Sequence, residues 1–259
     1  MLKGLYTAYT GMINEQNRMD IMTNNLANAN TVGFKKEGST SQAFDDVLAL
    51  KIKDTSVAPN TAKRLGTMNM GVKIGEGYVD YSTGSFRETG NTYDLALSGN
   101  GFFAIEFTNK AGETSTKYTR DGSFTLNVDG YLVTEDGDYV LDEDGDRIEL
   151  DPLKTSFIDS NGNIYQDDSV EATIGIVDFE DYNYLEKYGE NLFQTVEGAV
   201  EQDATAQVHS GYLEMANVQV VSEMVNMITI TRAYEANQKI IQTYDQSLDI
   251  AVNQLGRLR

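Results

Sequence analysis

Four places in this 259-residue chain carry residues that could do chemistry. Residues 135–151 hold nine acids against one base, Arg147, and Asp142, Asp144 and Asp146 alternate there as the oxygen ligands of a calcium ion would. An EF-hand loop needs Gly at its sixth position and Glu at its twelfth. Gly145 stands fourth counting from Asp142, and Leu153 is twelfth. The run 159–163 (Asp-Ser-Asn-Gly-Asn) fails the same test, so both tracts are predicted to be solvated hairpin tips. His209, the sole histidine, has Gln207 and Ser210 beside it and reads as a surface residue near a helix start rather than the base of a nucleophile–His–acid relay. Gly99-Asn100-Gly101 begins like a dinucleotide loop but precedes a strand pattern instead of opening a helix. Forty acids make the paired carboxylates of sugar hydrolysis unavoidable by number alone. Without cysteine there is no thiolate nucleophile, zinc-thiolate site or disulfide framework. No catalytic, cofactor-binding or metal-ligating residue is assigned, and no cofactor is expected.

The elements that would position any such group fall into three textures. The net charge of −20 is confined to residues 35–215, where 34 acids face 14 bases, while residues 1–34 and 216–259 are each neutral. An acidic middle repels phosphate, so nucleic acid is not an expected partner. Residues 1–34 have helical periodicity, with Leu2, Leu5, Tyr9, Met12, Met19 and Leu26 at 3-and-4 spacing and Gln16 and Thr23 completing a heptad seam. That pattern stops at 28–33, where Asn and Gly favour a left-handed or turn conformation. Residues 215–259 predict a longer helix, uninterrupted by Gly or Pro from 212 to 255 and carrying a narrow apolar stripe. Val221, Met224, Ile228, Tyr234, Ile241, Leu248 and Leu255 belong to that stripe.

Between the helices the period falls from about 3.6 to 2. Phe103, Ile105 and Phe107 alternate with Phe102, Ala104 and Glu106. Asp121-Gly122, Asp129-Gly130, Asp136-Gly137, Asp144-Gly145 and Asn161-Gly162 punctuate the runs, which predicts an antiparallel meander. The expected organisation is α+β. It comprises an N-terminal helix and hinge (1–34), an extended connector that could be a long hairpin (35–75), an acidic antiparallel β domain (76–214) and a C-terminal helix (215–259). The two terminal helices are expected to pair as a coiled coil, with Leu2, Leu5, Tyr9, Met12 and Leu26 against Val221, Met224, Ile228, Ile241 and Leu248. No cleavable leader is expected, since the opening residues lack an uninterrupted apolar core and a small-residue cleavage site.

Four separated tracts resemble the bacterial flagellar rod and hook proteins. They are Asn24-Asn25-Leu26-Ala27-Asn28-Ala29-Asn30-Thr31-Val32-Gly33-Phe34-Lys35, then Tyr93-Asp94-Leu95-Ala96-Leu97-Ser98-Gly99-Asn100-Gly101-Phe102-Phe103. Tyr118-Thr119-Arg120-Asp121-Gly122-Ser123-Phe124 is the third, and Gly211-Tyr212-Leu213-Glu214 with Asn217 opens the fourth, which continues to Asn237. Chain length and the tracts at 118–124 and 223–228 are most similar to the distal rod branch, with the proximal rod branch as second choice. The resemblance implies a structural subunit of the basal-body rod, not an enzyme. It implies a helical homopolymer that transmits torque to the hook, contacts other rod and hook proteins, and takes no small-molecule substrate. It also implies passage across the inner membrane through the flagellar export apparatus. Asn24, Asn25, Leu26, Ala27, Asn28, Gly33 and Phe34 then form the hinge by which the inner helix turns outward. The alternatives are a wall-acting hydrolase and a calcium-binding adhesion module delivered by the same apparatus.

Overall fold

The computed structural model describes residues 2–51, 63–110, 112–167, 169–189 and 191–255. Two compact units emerge, each assembled from separate stretches of chain. One draws on residues 1–26, 37–80 and 219–259, the other on 27–36 and 81–218. The segmentation read from sequence texture divides the chain elsewhere. The hinge loop 27–36 belongs with the β unit, and residues 76–80 belong with the helices.

In the first unit, α1 (Leu2–Ala27) is 26 residues long and α2 (Val220–Ile250) is 31, about 39 and 46 Å at 1.5 Å per residue. A π-helical turn, Ala251–Leu255, follows α2. Two tiers of strand pairing follow α1: β1 (Glu37–Ala43) pairs antiparallel with β4 (Val72–Val79), and β2 (Val47–Lys51) with β3 (Lys63–Met68). Side chains tie α1 to the β1–β4 pair and the turn before β4. Asn14 Nδ2 donates to Ser41 Oγ at 3.1 Å, and Thr10 packs over Gly71 where any Cβ would clash. Asn25 grips Glu37 twice, donating to its carbonyl at 2.8 Å and accepting from its amide at 2.9 Å.

The helices meet where one of them has no side chain. A Cβ on Gly4 would lie 2.3 Å from Tyr244 Oη, and one on Gly11 would lie 3.0 Å from Asn237 Nδ2. Residue number rises on α1 as it falls on α2, so at these contacts the helices run antiparallel. Along α2 Glu223, Met227, Ile230, Tyr234, Asn237, Ile241 and Tyr244 are protected in a 4-and-3 alternation, and Thr231 and Ala233 are half-buried as well.

The second unit is strand-built. β5 (Phe86–Glu88) and β6 (Leu95–Ser98) precede β7 (Phe102–Thr108) and β8 (Thr114–Thr119). β9 (Phe124–Leu126), β10 (Leu132–Thr134) and β11 (Tyr139–Val140) form a meander that docks on β7 through Tyr139↔Glu106 and Val140↔Ile105. β12 (Ser156–Ile158), β13 (Asn163–Gln166) and β14 (Ser169–Thr173) make a separate three-stranded sheet. β15 (Ile176–Phe179) returns to β7, and β16 (Leu185–Tyr188) and β17 (Leu192–Thr195) extend the far edge beyond β8. β18 (Glu201–Asp203) pairs with β15, β19 (Gln207–Ser210) with β6, and β20 (Tyr212–Glu214) with β5.

A single meander was expected, and the structure corrects this. One edge of β7 is shared end to end by β11 and β15, which arrive from different parts of the chain, while β8 holds the other. The predicted alternation in β7 also fails at 102–105, all four of which are buried. Phe103 and Ile105 enter the main core with Leu97, Phe124, Ile148 and Ile164. Phe102 points the other way, into a second aromatic cluster with Phe179, Phe193, Tyr81 and Tyr182. A strand covered on both faces has no polar side, and each such Phe contributes about 1.5–3 kcal/mol by burial.

Four of the five Asp-Gly or Asn-Gly pairs are left-handed turns at glycines 130, 137, 145 and 162. Asp121-Gly122 is not. A Cβ on Gly122 would sit 1.8 Å from the Leu95 carbonyl, so glycine there permits close strand approach.

Candidate functional site

Helix α1 ends at Ala27, and residues 28–30 turn. Asn28 caps the turn, its carbonyl accepting from Thr31 N at 3.1 Å and its Oδ1 from Thr31 Oγ1 at 3.2 Å. Gly33 has φ +69°, and its amide donates to the Glu214 carbonyl at 2.8 Å. Beyond it Phe34 and Lys35 are both 1% exposed. The Lys187 ammonium lies 4.1 Å from the centre of the Phe34 ring.

A lysine in the interior needs a counter-charge. Lys35 Nζ donates to Glu214 Oε1 at 2.6 Å and to the Ser82 carbonyl at 2.9 Å. The same Oε1 accepts from the Gly84 amide at 2.9 Å. Glu214 Oε2 accepts from Arg120 Nη1 at 3.3 Å, and Arg120 also donates to the carbonyls of Leu97 and Gly99 at 3.3 and 2.6 Å. Its guanidinium carbon lies 5.3 Å from the Phe102 ring centre, so the aromatic cluster backs the cation. Asn217 completes the site, accepting from Lys36 N at 2.8 Å and donating to Ser82 O at 3.2 Å. Lys35, Arg120 and Glu214 are all buried.

All four tracts singled out in the sequence therefore converge on one cluster. Lys35 comes from the first, the Leu97 and Gly99 carbonyls from the second, Arg120 from the third, and Glu214 with Asn217 from the fourth. Sequence reasoning missed these charges because Lys35 and Glu214 stand 179 residues apart and no local period connects them. Their presence as ionic members of otherwise apolar or turn-forming tracts was the only signal. Burial pushes Tyr81 up to about 12, and burial followed by carboxylate bonds from Glu201 and Asp178 raises Tyr118 and Tyr182 as well.

The residues expected to pair the helices divide into two sets. Leu5, Met12, Met19 and Leu26 are half-buried on α1, and Tyr234 and Ile241 are half-buried on α2. Tyr9 is 51% exposed, and Val221, Met224 and Ile228 are 76, 48 and 54% exposed, on a face of α2 away from the 4-and-3 seam; Leu248 is exposed too. The side chains of Leu2 and Leu255 lie outside the described residues. The protected positions of α1 include Gly4, Ala8, Gly11 and Asn25, small or polar residues that an apolar scan passes over. Of the hinge residues, Asn25 and Phe34 are buried and Gly33 is wedged against Asp121 N and Arg120 C, while Asn24 and Ala27 are exposed.

The acidic tract has a role in folding. Asp142 Oδ1 accepts from the amides of Asp144 and Asp146 at 3.0 and 2.8 Å, closing a turn on itself. Arg147 pairs with Glu106 at 2.6 Å, which holds that carboxyl below its ordinary range. His209 lies on β19, not near a helix start, exposed between the rings of Phe86 and Tyr212.

An α+β chain with two long helices, a strand-built unit and a buried ionic cluster joining its sequence tracts has the character of an assembly subunit. Three family descriptions match it in order: "Flagella basal body rod protein" over residues 5–35, "Flagellar hook protein FlgE/F/G D1 domain" over 96–166, and "Flagellar basal body rod FlgEFG protein C-terminal" over 209–255. The chain is 37% identical to the flagellar basal-body rod protein FlgG of Bacillus subtilis, covering 98% of this chain and 99% of the relative. It is 35% identical to the flagellar basal-body rod protein FlgF of Caulobacter vibrioides and 32% identical to the flagellar hook-basal body complex protein FlhO of Bacillus subtilis, each over the whole of both chains. The chain belongs to the flagellar basal-body rod protein family.

Proposed function

We propose that this protein is a structural subunit of the flagellar basal-body rod, that it polymerises helically with copies of itself, and that the polymer passes torque to the hook. The observation that carries the assembly reading is a pair of exposed apolar stripes on the terminal helices. α2 presents Val221, Met224, Val225 and Ile228 on a face away from its protected seam, and α1 presents Tyr6, Tyr9 and Ile13. Each helix thus has one face for its own chain and one to spare. A face on one copy that seats a different face on the next makes a heterologous contact, and repetition of such contacts builds a tube or filament. The protected seams, joined at Gly4–Tyr244 and Gly11–Asn237, are the coiled-coil-like pairing within one subunit.

Other rod and hook proteins are the neighbours this family membership implies, and the basal body is the location. The chain reaches it through the flagellar export apparatus. It has no catalytic role; the hydrolase and calcium-adhesion readings draw no support from an acidic tract that closes its own turns. Between branches, identities of 37 and 35% to FlgG and FlgF relatives differ little, so the distal rod assignment rests on the tracts at 118–124 and 223–228. The test is electron microscopy of basal bodies from the source bacterium with gold-labelled antibody against residues 80–210. Label on the rod below the hook is expected; intact basal bodies without label would overturn the reading.

A further inference from the structure

We propose that Glu214 is the positioning residue of a single joint that fixes the chain's passages between its two units to one point of the β unit. The backbone passes between units four times, after residues 26, 36, 80 and 218. Unanchored, these would be independent linkers with independent play.

Glu214 touches every one of the segments involved. Its carboxylate binds Lys35 at the end of loop 27–36 and the Gly84 amide just past residue 80. Its carbonyl takes the Gly33 amide, while the next residue, Met215, bridges Val32 and donates to the Ser85 carbonyl. Glu214 itself lies at the end of β20, paired with Phe86, on the stretch that leads to α2. Arg120, on the remaining carboxylate oxygen, attaches this knot to the β6–β7 turn through Leu97 and Gly99.

One buried carboxylate serving three donors from three segments is geometrically demanding, and no member can move alone without stranding a charge. Rotation imposed on any one passage is therefore delivered to Arg120 and the sheet behind it. That mechanical consequence rests on the rod reading above; the joint itself does not.

Hydrogen exchange of the full chain, read by mass spectrometry, tests the joint alone. Glu214→Gln keeps the shape and removes the ionic bonds. Peptides covering 28–36, 82–86 and 211–218 are expected to exchange about tenfold faster or more, while β7 and β8 keep their protection. Equal acceleration in β7 and β8 would make Glu214 an ordinary core residue, and unchanged exchange everywhere would also overturn the joint. Should that variant fail to fold, Asn217→Ala, which releases Lys36 N and Ser82, must show the same local pattern more weakly, and no change there sinks the proposal. In the source bacterium, Glu214→Gln subunits that incorporate normally yet give weakened swimming extend the joint to torque. Normal swimming with loosened exchange would leave the joint standing and remove its mechanical role.

Discussion

Gly33 is the residue on which the hinge depends most narrowly. Its φ of +69° disfavours any side chain, and a Cβ would approach Asp121 N to 2.4 Å and Arg120 C to 2.5 Å, backbone atoms that cannot swing aside. Gly33→Ala is expected to destabilise the β unit by about 2 kcal/mol or more, seen as a lower urea midpoint. Gly137→Ala is the control. Its φ is +93° but nothing lies within 4 Å, so only the backbone strain of about 1 kcal/mol remains. Equal losses at both sites would show that the close approach is unimportant. Three partly or fully buried tyrosines make a second prediction. Tyr81, Tyr118 and Tyr182 hold their protons more tightly folded than unfolded, so their contribution is complete below the unfolded value of about 10 and is lost as pH rises beyond it. In a phenolate absorbance titration, most of the 15 tyrosines should ionise near that value and a late group only with unfolding, at about pH 12 for Tyr81. A single smooth transition would contradict it.

At the scale of elements, each helix has two faces with different duties. Val221→Asp and Ile228→Asp alter side chains that are mostly or half exposed, so monomer stability should change by no more than about 0.5 kcal/mol. Polymerisation, followed by sedimentation, should be abolished, because each subunit-to-subunit contact would bury an unpaired carboxylate. Loss of monomer stability with intact polymers would place these residues on the wrong face. The helices themselves were legible from periodicity; of the expected α1 positions Leu5, Met12, Met19 and Leu26 are half-buried and Tyr9 is exposed. The partner positions were not legible. Long side chains of α2 lie over positions of α1 that lack bulk, Tyr244 over Gly4 and Asn237 over Gly11, and hydropathy gives small residues no weight. Strand existence was likewise readable from alternation and Asp-Gly turns. Strand neighbours were not, since β15 reaches β7 across more than sixty residues of intervening chain.

The whole molecule concentrates its charge in one part of the sequence. Copies carrying −20 each repel at long range, so assembly should be faster as salt rises from about 0.01 to 0.15 M and the Debye length falls from about 30 to 8 Å. Slower assembly in salt would mean that attraction between charges drives it. Helices with a spare apolar face are marginal without a partner, so limited proteolysis of the free subunit should trim the terminal segments and spare the β unit. Uniform resistance would show that both units are equally stable alone. Composition, charge distribution, the two helices and the strand-rich middle were determined by the sequence itself, because periodicity and turn chemistry act over a few residues. Only tertiary structure could decide that Lys35, Arg120 and Glu214 share one buried site, or which face of each helix is spent within the chain. Those outcomes depend on long-range packing and on the expense of burying charge, which no local pattern records.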